Sequence, residues 1–189
     1  MSSPQANRVA GPNLAGRPWL VITSGLPSAG KSTYASYLEK KHGFYKISSD
    51  DLRQRIFGGV FDHKYRSSEL SGAKENVLLQ TIQIIKLEQL SRGRNVVIDS
   101  MALQEQLRHV LFDTCINNKY ALIVRRTLLN IKVSDEVCDQ RNAARGGSSR
   151  FKPSHVKDGG SDFYHMVSLP NDDRQQQTQN FKYLDSYFS

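Results

Sequence analysis

Between Gly25 and Ser32 the chain reads Gly-Leu-Pro-Ser-Ala-Gly-Lys-Ser, which fits the nucleotide-binding P-loop pattern without a mismatch. This feature restricts the fold most, because such a loop works only between a buried strand and a helix start. WLVIT, residues 19–23, reads as the short buried strand that delivers the chain to the glycine-rich turn. Gly25 and Gly30 permit backbone angles and close approaches that a side chain would block, so successive N–H groups can face a β-phosphate. The Lys31 ammonium then reaches the β- and γ-oxygens, and the Ser32 hydroxyl can bind Mg²⁺. A helix begins there and runs to about His42, its N-terminal dipole adding to the anion site. Gly25, Ser28, Ala29, Gly30, Lys31, Ser32 and Thr33 are the expected nucleotide contacts, with ATP or GTP and Mg²⁺ as the expected cofactors.

The rest of the chain supplies the alternation that such a loop needs. Gly43 makes a helix stop, and FYKIS, residues 44–48, reads as a second strand. Across residues 71–92, Val77, Leu78, Ile82, Ile85 and Leu90 recur at helical spacing, closed by Gly93. NVVID, residues 95–99, is a third strand ending in an acid. Residues 104–117 put Leu107, Val110 and Leu111 on one helical face, YALIVRR at 120–126 makes a fourth strand, and a further helix starts at Ser134. Strands alternating with helices, and apolar on both faces, imply a three-layer α/β sandwich around a parallel sheet of about four or five strands. The 189 residues suit a single domain over 19–189 behind a disordered leader over 1–18, which has Pro, Gly, Ser and Asn but no apolar periodicity. Residues 154–189 receive no structural assignment, and NDDRQQQTQN within them reads as a polar tract.

In a parallel sheet, ligands bind beyond the carboxyl ends of the strands. That rule selects the P-loop after the first strand, the SDDLR stretch after the second and Asp99 at the end of the third. Asp50 or Asp51 can cap the following helix. Asp50 can also face the γ-phosphate and take the proton of an attacking hydroxyl, while Arg53, one helical turn on, holds an anion beside that hydroxyl. Asp99 can act on Mg²⁺ through water, as Asp50 can, or orient Arg53. Further on, Arg141, Arg145, Arg150 and Lys152 follow one another around Gly146–Gly147, with no acid between Arg141 and Pro153. Arg141 and Arg145 share a helical face, and the pattern reads as a mobile lid over about 141–153 that stabilises charge on a transferring phosphoryl group.

The formal net charge of +8 bears on the acceptor. A kinase of small molecules needs a few cations, whereas an excess along the whole chain suits a polyanionic partner, DNA or RNA. No long apolar run supplies a signal peptide or membrane span, so a soluble intracellular protein with no membrane partner is expected. Cys115 and Cys138 fall in stretches read as helices, lack metal-ligand spacing and are expected to be reduced, half-buried thiols. Nothing in these features sets the oligomeric state.

GLPSAGKST, FYKISSDDLRQR, VVIDS and QRNAARG, in this order, resemble the kinase domain of phage-type polynucleotide 5′-kinases, within a P-loop kinase clan that includes zeta-toxin-like and seryl-tRNA-kinase-like enzymes. The resemblance covers about residues 19–147. It implies Lys31 and Ser32 at the phosphates and magnesium, Asp50 as general base, Arg53 on the acceptor's 3′-phosphate, Asp99 orienting that arginine, and Arg141 and Arg145 as lid contacts to ATP. The reaction it implies is transfer of the γ-phosphate of ATP to a hydroxyl of a nucleic acid, a 5′-OH end of DNA or RNA. The chain departs from the pattern in lacking a D-x-D-G-T phosphatase signature and in the unmatched sequence from Arg150 onward. Residues 57–74, with Phe61, His63 and Tyr65, sit where that family has its acceptor surface; packing and base stacking are both open to them. Two other readings compete: a same-fold kinase of a hydroxymethylated base, an aminoacyl-tRNA or a small metabolite, and a nucleotide-binding ATPase or switch module with no acceptor.

Overall fold

The computed structural model describes residues 16–58, 69–116, 120–144 and 164–189. Residues 1–15 of the expected leader over 1–18, the stretch 59–68 with Phe61, His63 and Tyr65, and the lid residues Arg145, Gly146, Gly147, Arg150 and Lys152 lie outside them. The elements in chain order are β1 (Trp19–Ser24), α1 (Lys31–His42), β2 (Tyr45–Ser48), α2 (Ser49–Phe57), α3 (Glu69–Ser91), β3 (Val96–Asp99), α4 (Glu105–Phe112), β4 (Cys115–Ile116), β5 (Tyr120–Ala121), β6 (Arg125–Lys132), α5 (Asp135–Ala143), β7 (His165–Pro170) and α6 (Arg174–Tyr187).

Five of the strands form a parallel sheet in the order β2-β3-β1-β6-β7, and β4 and β5 form a separate antiparallel pair. Alternation along each strand divides the core. Val21, Val97, Leu129 and Val167 pack with Tyr34, Ala35 and Leu38 of α1 and Leu184 of α6. Leu20, Ile22, Ile98 and Leu128 pack with Leu78, Ile82 and Leu90 of α3 and Leu111 and Phe112 of α4. Helices thus flank the sheet on both faces, the α/β sandwich expected of a P-loop chain.

Register then sets the site. Thr23 lies beside Asp99 one step past the Ile22–Ile98 pair, and Ser48 pairs with Asp99, so the ends of β1, β3 and β2 come level. α1 stops where the sequence suggested, at Gly43 in the left-handed region, whose N–H donates to Leu38 O.

Several expectations shift. The fourth main strand is Arg125–Lys132, not 120–126: Arg125 is anchored over the Trp19 ring at 3.9 Å, and Arg126 donates to Phe112 O and Thr114 Oγ1. The arginine pair therefore opens the strand rather than closing it. The helix expected over 104–117 ends at Phe112, so Cys115 is an exposed thiol in β4 rather than a helical one, while Cys138 is buried in α5. Val77 and Val110 face solvent. Arg17 and Pro18 of the expected leader accept hydrogen bonds from Arg125. The tail holds a strand and a helix: Val167 and Leu169 turn inward, and Asp173 caps α6 by accepting from Gln176 N at 2.8 Å. No helix among the described residues is long and apolar enough to cross a membrane.

Candidate functional site

The loop from Gly25 to Gly30 joins β1 to α1 over the carboxyl edge of the sheet. Gly25 has φ +145°, and a Cβ there would lie 2.5 Å from Ile131 O, so only glycine lets the chain leave β1 this close to β6. Ser28 and Gly30 also have positive φ, 63° and 101°. α1 begins at Lys31 with no side-chain cap and no acid of its own in the first turn, so nothing on the helix itself offsets the positive end of its dipole. Lys31 Nζ donates to the carbonyls of Gly25 and Leu26 at 3.1 and 2.7 Å, which holds the cation across the loop's mouth.

Asp99 closes the adjacent strand and is 8% exposed. The Ser32 hydroxyl hydrogen-bonds to its carboxylate, and Thr23 Oγ1 approaches Oδ1 at 3.4 Å. Burial pushes the Asp99 carboxyl up; the Ser32 hydrogen bond and the charges of Lys31 and Lys46 pull it down, and the negative charge of Asp50 raises it again. P-loop cation, hydroxyl, buried acid and α2 acid therefore share one electrostatic neighbourhood. Lys46, braced on Ser36 Oγ at 3.0 Å, was not singled out by sequence reasoning.

α2 starts at the carboxyl end of β2. Its cap is Ser48, whose Oγ accepts from Asp51 N at 3.2 Å; neither Asp50 nor Asp51 caps the helix, and both side chains are released to its first turn. Asp50 is 86% exposed and accepts from Arg53 Nη1 at 2.6 Å. Arg53, 17% exposed, reaches Glu75 of α3 with Nη2. Glu75 went unnoticed in the sequence because only the packing of α3 on α2 brings it there.

On the other side of the loop, Arg141 of α5 donates to the carbonyls of Asn171 and Asp172 at 2.8 and 3.0 Å. Arg145, its expected companion, lies outside the described residues. Asn171, also missed, follows β7 as Asp99 ends β3; recognising β7 would have selected it by the same rule of strand ends. Its Nδ2 donates to Ala29 O at 2.7 Å within the P-loop. A cleft runs beside the loop between Gly25, Leu26, Lys132, Ser134, Pro170 and Asp172.

These residues fit a magnesium nucleotide. Gly25 and Gly30 let the loop turn where a Cβ would strike Ile131 O and Asn171 Nδ2, and Lys31 lies across the loop on the carbonyls of Gly25 and Leu26. Ser32 and Asp99 present hard oxygen donors in contact with each other. No group of three His, Cys, Asp or Glu is found among the described residues, and Mg²⁺ sites built on one or two protein oxygens plus substrate phosphates do not need one.

A family model described as an AAA domain (AAA_33) matches residues 20–163. The chain belongs to this family. As an AAA_33 domain it has the P-loop kinase fold, and solved structures share that fold. A sugar kinase from Janibacter sp. HTCC2649 superposes with a TM-score of 0.57 at 16% identity, over 89% of this chain and 95% of that one. APS kinase CysC of Mycobacterium tuberculosis, solved with AMPPNP and APS, gives 0.61 at 16% identity, over 92% and 99%. A chain of the Pnkp1/Rnl/Hen1 complex gives 0.54 at 19% identity, over 78% of this chain and 44% of that one. No curated protein matches the sequence. The AAA_33 match stops at residue 163, so β7, α6 and Asn171 lie beyond the span the family model covers.

Proposed function

We propose that the chain is a kinase that transfers the γ-phosphoryl group of ATP, with Mg²⁺, to a hydroxyl of a nucleic acid, a 5′-OH end of DNA or RNA. The observation that carries this reading is Asp50: an exposed carboxylate at a strand's carboxyl end, within the electrostatic reach of the Asp99–Ser32 pair and bonded to an arginine. In this reading Asp50 takes the proton of the acceptor hydroxyl as its oxygen attacks the γ-phosphorus and the bond to the β-bridging oxygen breaks, releasing ADP. Arg53 holds the Asp50 carboxylate in place and offers its guanidinium to an acceptor phosphate. Lys31 stabilises charge on the transferring group, and Arg141, with Arg145, contacts the nucleotide from the lid. A magnesium ion held through Ser32 and Asp99 would neutralise the phosphate oxygens.

The net charge of +8 supports a polyanionic acceptor, and a nucleic-acid substrate is in keeping with the fold shared with a chain of an RNA repair complex. A second reading has its own support. Arg53 already holds two carboxylates, Asp50 and Glu75, so its charge is spent within the chain and a phosphate-free alcohol would suffice as acceptor. Transfer of labelled γ-phosphate to 5′-OH oligonucleotides, hydroxymethylated duplexes and small alcohols separates the readings. Labelling confined to oligonucleotide 5′ ends, with binding that weakens along a log–log salt line, is the expected result. Salt-insensitive labelling of small alcohols would overturn it.

A further inference from the structure

The polar side chains buried beneath the P-loop form one connected set. Asn180 of α6 donates through Nδ2 to Tyr34 Oη at 2.8 Å and to Pro170 O at 2.6 Å. Tyr34 has a single proton, and with its oxygen accepting from Asn180 that proton goes to Asn171 Oδ1, at 3.0 Å. This fixes the orientation of the Asn171 amide and leaves Nδ2 to donate to Ala29 O at 2.7 Å. Asn171 is 1% exposed, Tyr34 is fully buried and Asn180 is 8% exposed, so none of these bonds competes with bulk water.

The bond to Ala29 O acts on the loop through covalent geometry. A trans peptide sets the carbonyl of one residue antiparallel to the N–H of the next. Fastening the Ala29 carbonyl on Asn171 therefore turns the Gly30 N–H the opposite way, away from Asn171. The same amide fills the space a Gly30 side chain would need, since a Cβ there would lie 2.7 Å from Asn171 Nδ2. The Asn171 backbone carbonyl is in turn held by Arg141 of α5.

We propose that Asn171 is a positioning residue for the phosphate loop: it orients the Ala29–Gly30 peptide from the far edge of the sheet, and ties that orientation to the α5 arginine. The proposal rests on the nucleotide-binding half of the function proposed above and on nothing about the acceptor. A residue that merely held β7 and α6 in place would affect every adenine nucleotide alike. One that aims the loop's N–H groups affects only those with β- and γ-phosphates.

The test is competition of Mg-AMPPNP and of AMP against a fluorescent ATP analogue, on the full chain. Asn171→Ala removes both amide bonds. Asn171→Asp keeps the shape and the acceptor for Tyr34 but presents an acceptor to Ala29 O, and serves if the alanine variant does not fold. Both should weaken AMPPNP about tenfold or more, the worth of one buried hydrogen bond, and move AMP by no more than about twofold. Tyr34→Phe keeps the bond to Ala29 O and should weaken AMPPNP less than Asn171→Ala. Equal weakening of AMPPNP and AMP, or none, would overturn the positioning role while Lys31→Ala still abolished the preference for AMPPNP. A wild-type chain with no such preference would overturn both this role and the nucleotide half of the function.

Discussion

Glu75 of α3 holds Arg53 of α2 through both carboxylate oxygens, 3.3 and 3.2 Å from Nη2, while Asp50 takes Nη1. The guanidinium is thus aimed by two helices at once, and Asp50 is paired with a cation that has little freedom to leave. Glu75→Gln should loosen that aim without removing the charge. We expect the acceptor's KM to rise about threefold to tenfold and ATP affinity to stay unchanged, against a larger loss in Arg53→Ala. Steady-state kinetics with the acceptor varied at saturating ATP make the comparison. An Arg53→Ala enzyme with unaltered acceptor kinetics would remove the clamp from the mechanism.

Lys31→Ala deletes the cation that spans the P-loop carbonyls. Phosphoryl transfer should fall by roughly 10²-fold or more, the cost of one preorganised charge-stabilising donor, with an unchanged circular dichroism spectrum. A folded variant that turns over normally would refute the P-loop's part in catalysis.

Asp50 and Asp51 are adjacent, share a helix turn and are both exposed, yet only Asp50 is bonded to Arg53. Asp50→Asn should lower the transfer rate by roughly 10²-fold and leave nucleotide affinity intact. Asp51→Asn should cost no more than about 1 kcal/mol of stability through the helix dipole and spare the rate. Rates and melting temperatures of the two variants, measured together, decide which carboxylate is the base; the opposite pattern would exchange their roles.

Lys86 is fully buried in α3, where its Nζ donates to Gln83 Oε1, Leu111 O and Asp113 O at the end of α4. Burial pushes its pKa down to about 7, from 10.5 for a free lysine. Between those values the unfolded chain binds the extra proton, so stability rises with pH across this window and the contribution of Lys86 to the slope vanishes below it. Melting temperature measured from pH 7 to 10 should rise more steeply in the wild type than in Lys86→Met. The variant should also be less stable by about 1–3 kcal/mol, because two helix-end carbonyls lose their donor. Parallel pH profiles for the two proteins would show that Lys86 does not titrate in this range.

The parts of this molecule that could be read from sequence are those whose physics is local. The P-loop, α1 with its Gly43 stop, and Asp99 at the end of β3 each announce themselves within about ten residues. β6 was misplaced because Arg125 and Arg126 look like a strand's polar exit, and what makes them its entrance is distant: the Trp19 ring, Phe112 O and Thr114 Oγ1. β7 is an edge strand with only Val167 and Leu169 fully inward, too short an alternation to stand out beside a polar tract. α6 lies in that tract because it buries little beyond Asn180 and Leu184, with Phe181 and Tyr187 packing at the margin. Glu75 carries no local signal, since it matters through a partner on another element, and Asn171 could be reached only through β7, whose end it follows.

Asn171 stands 142 residues along the chain from the Ala29 carbonyl it holds. Closing so long a loop costs chain entropy that the assembled sheet must offset. The phosphate loop is therefore spelled in one short stretch and set by another, the outermost strand. Linkage makes the dependence run both ways: whatever the loop grips also holds down the sheet's edge, and fraying of β7 loosens the grip. Nucleotide at saturating concentration would then protect the amides of β7 from hydrogen exchange, and a chain with its edge strand open would carry an intact signature that binds weakly.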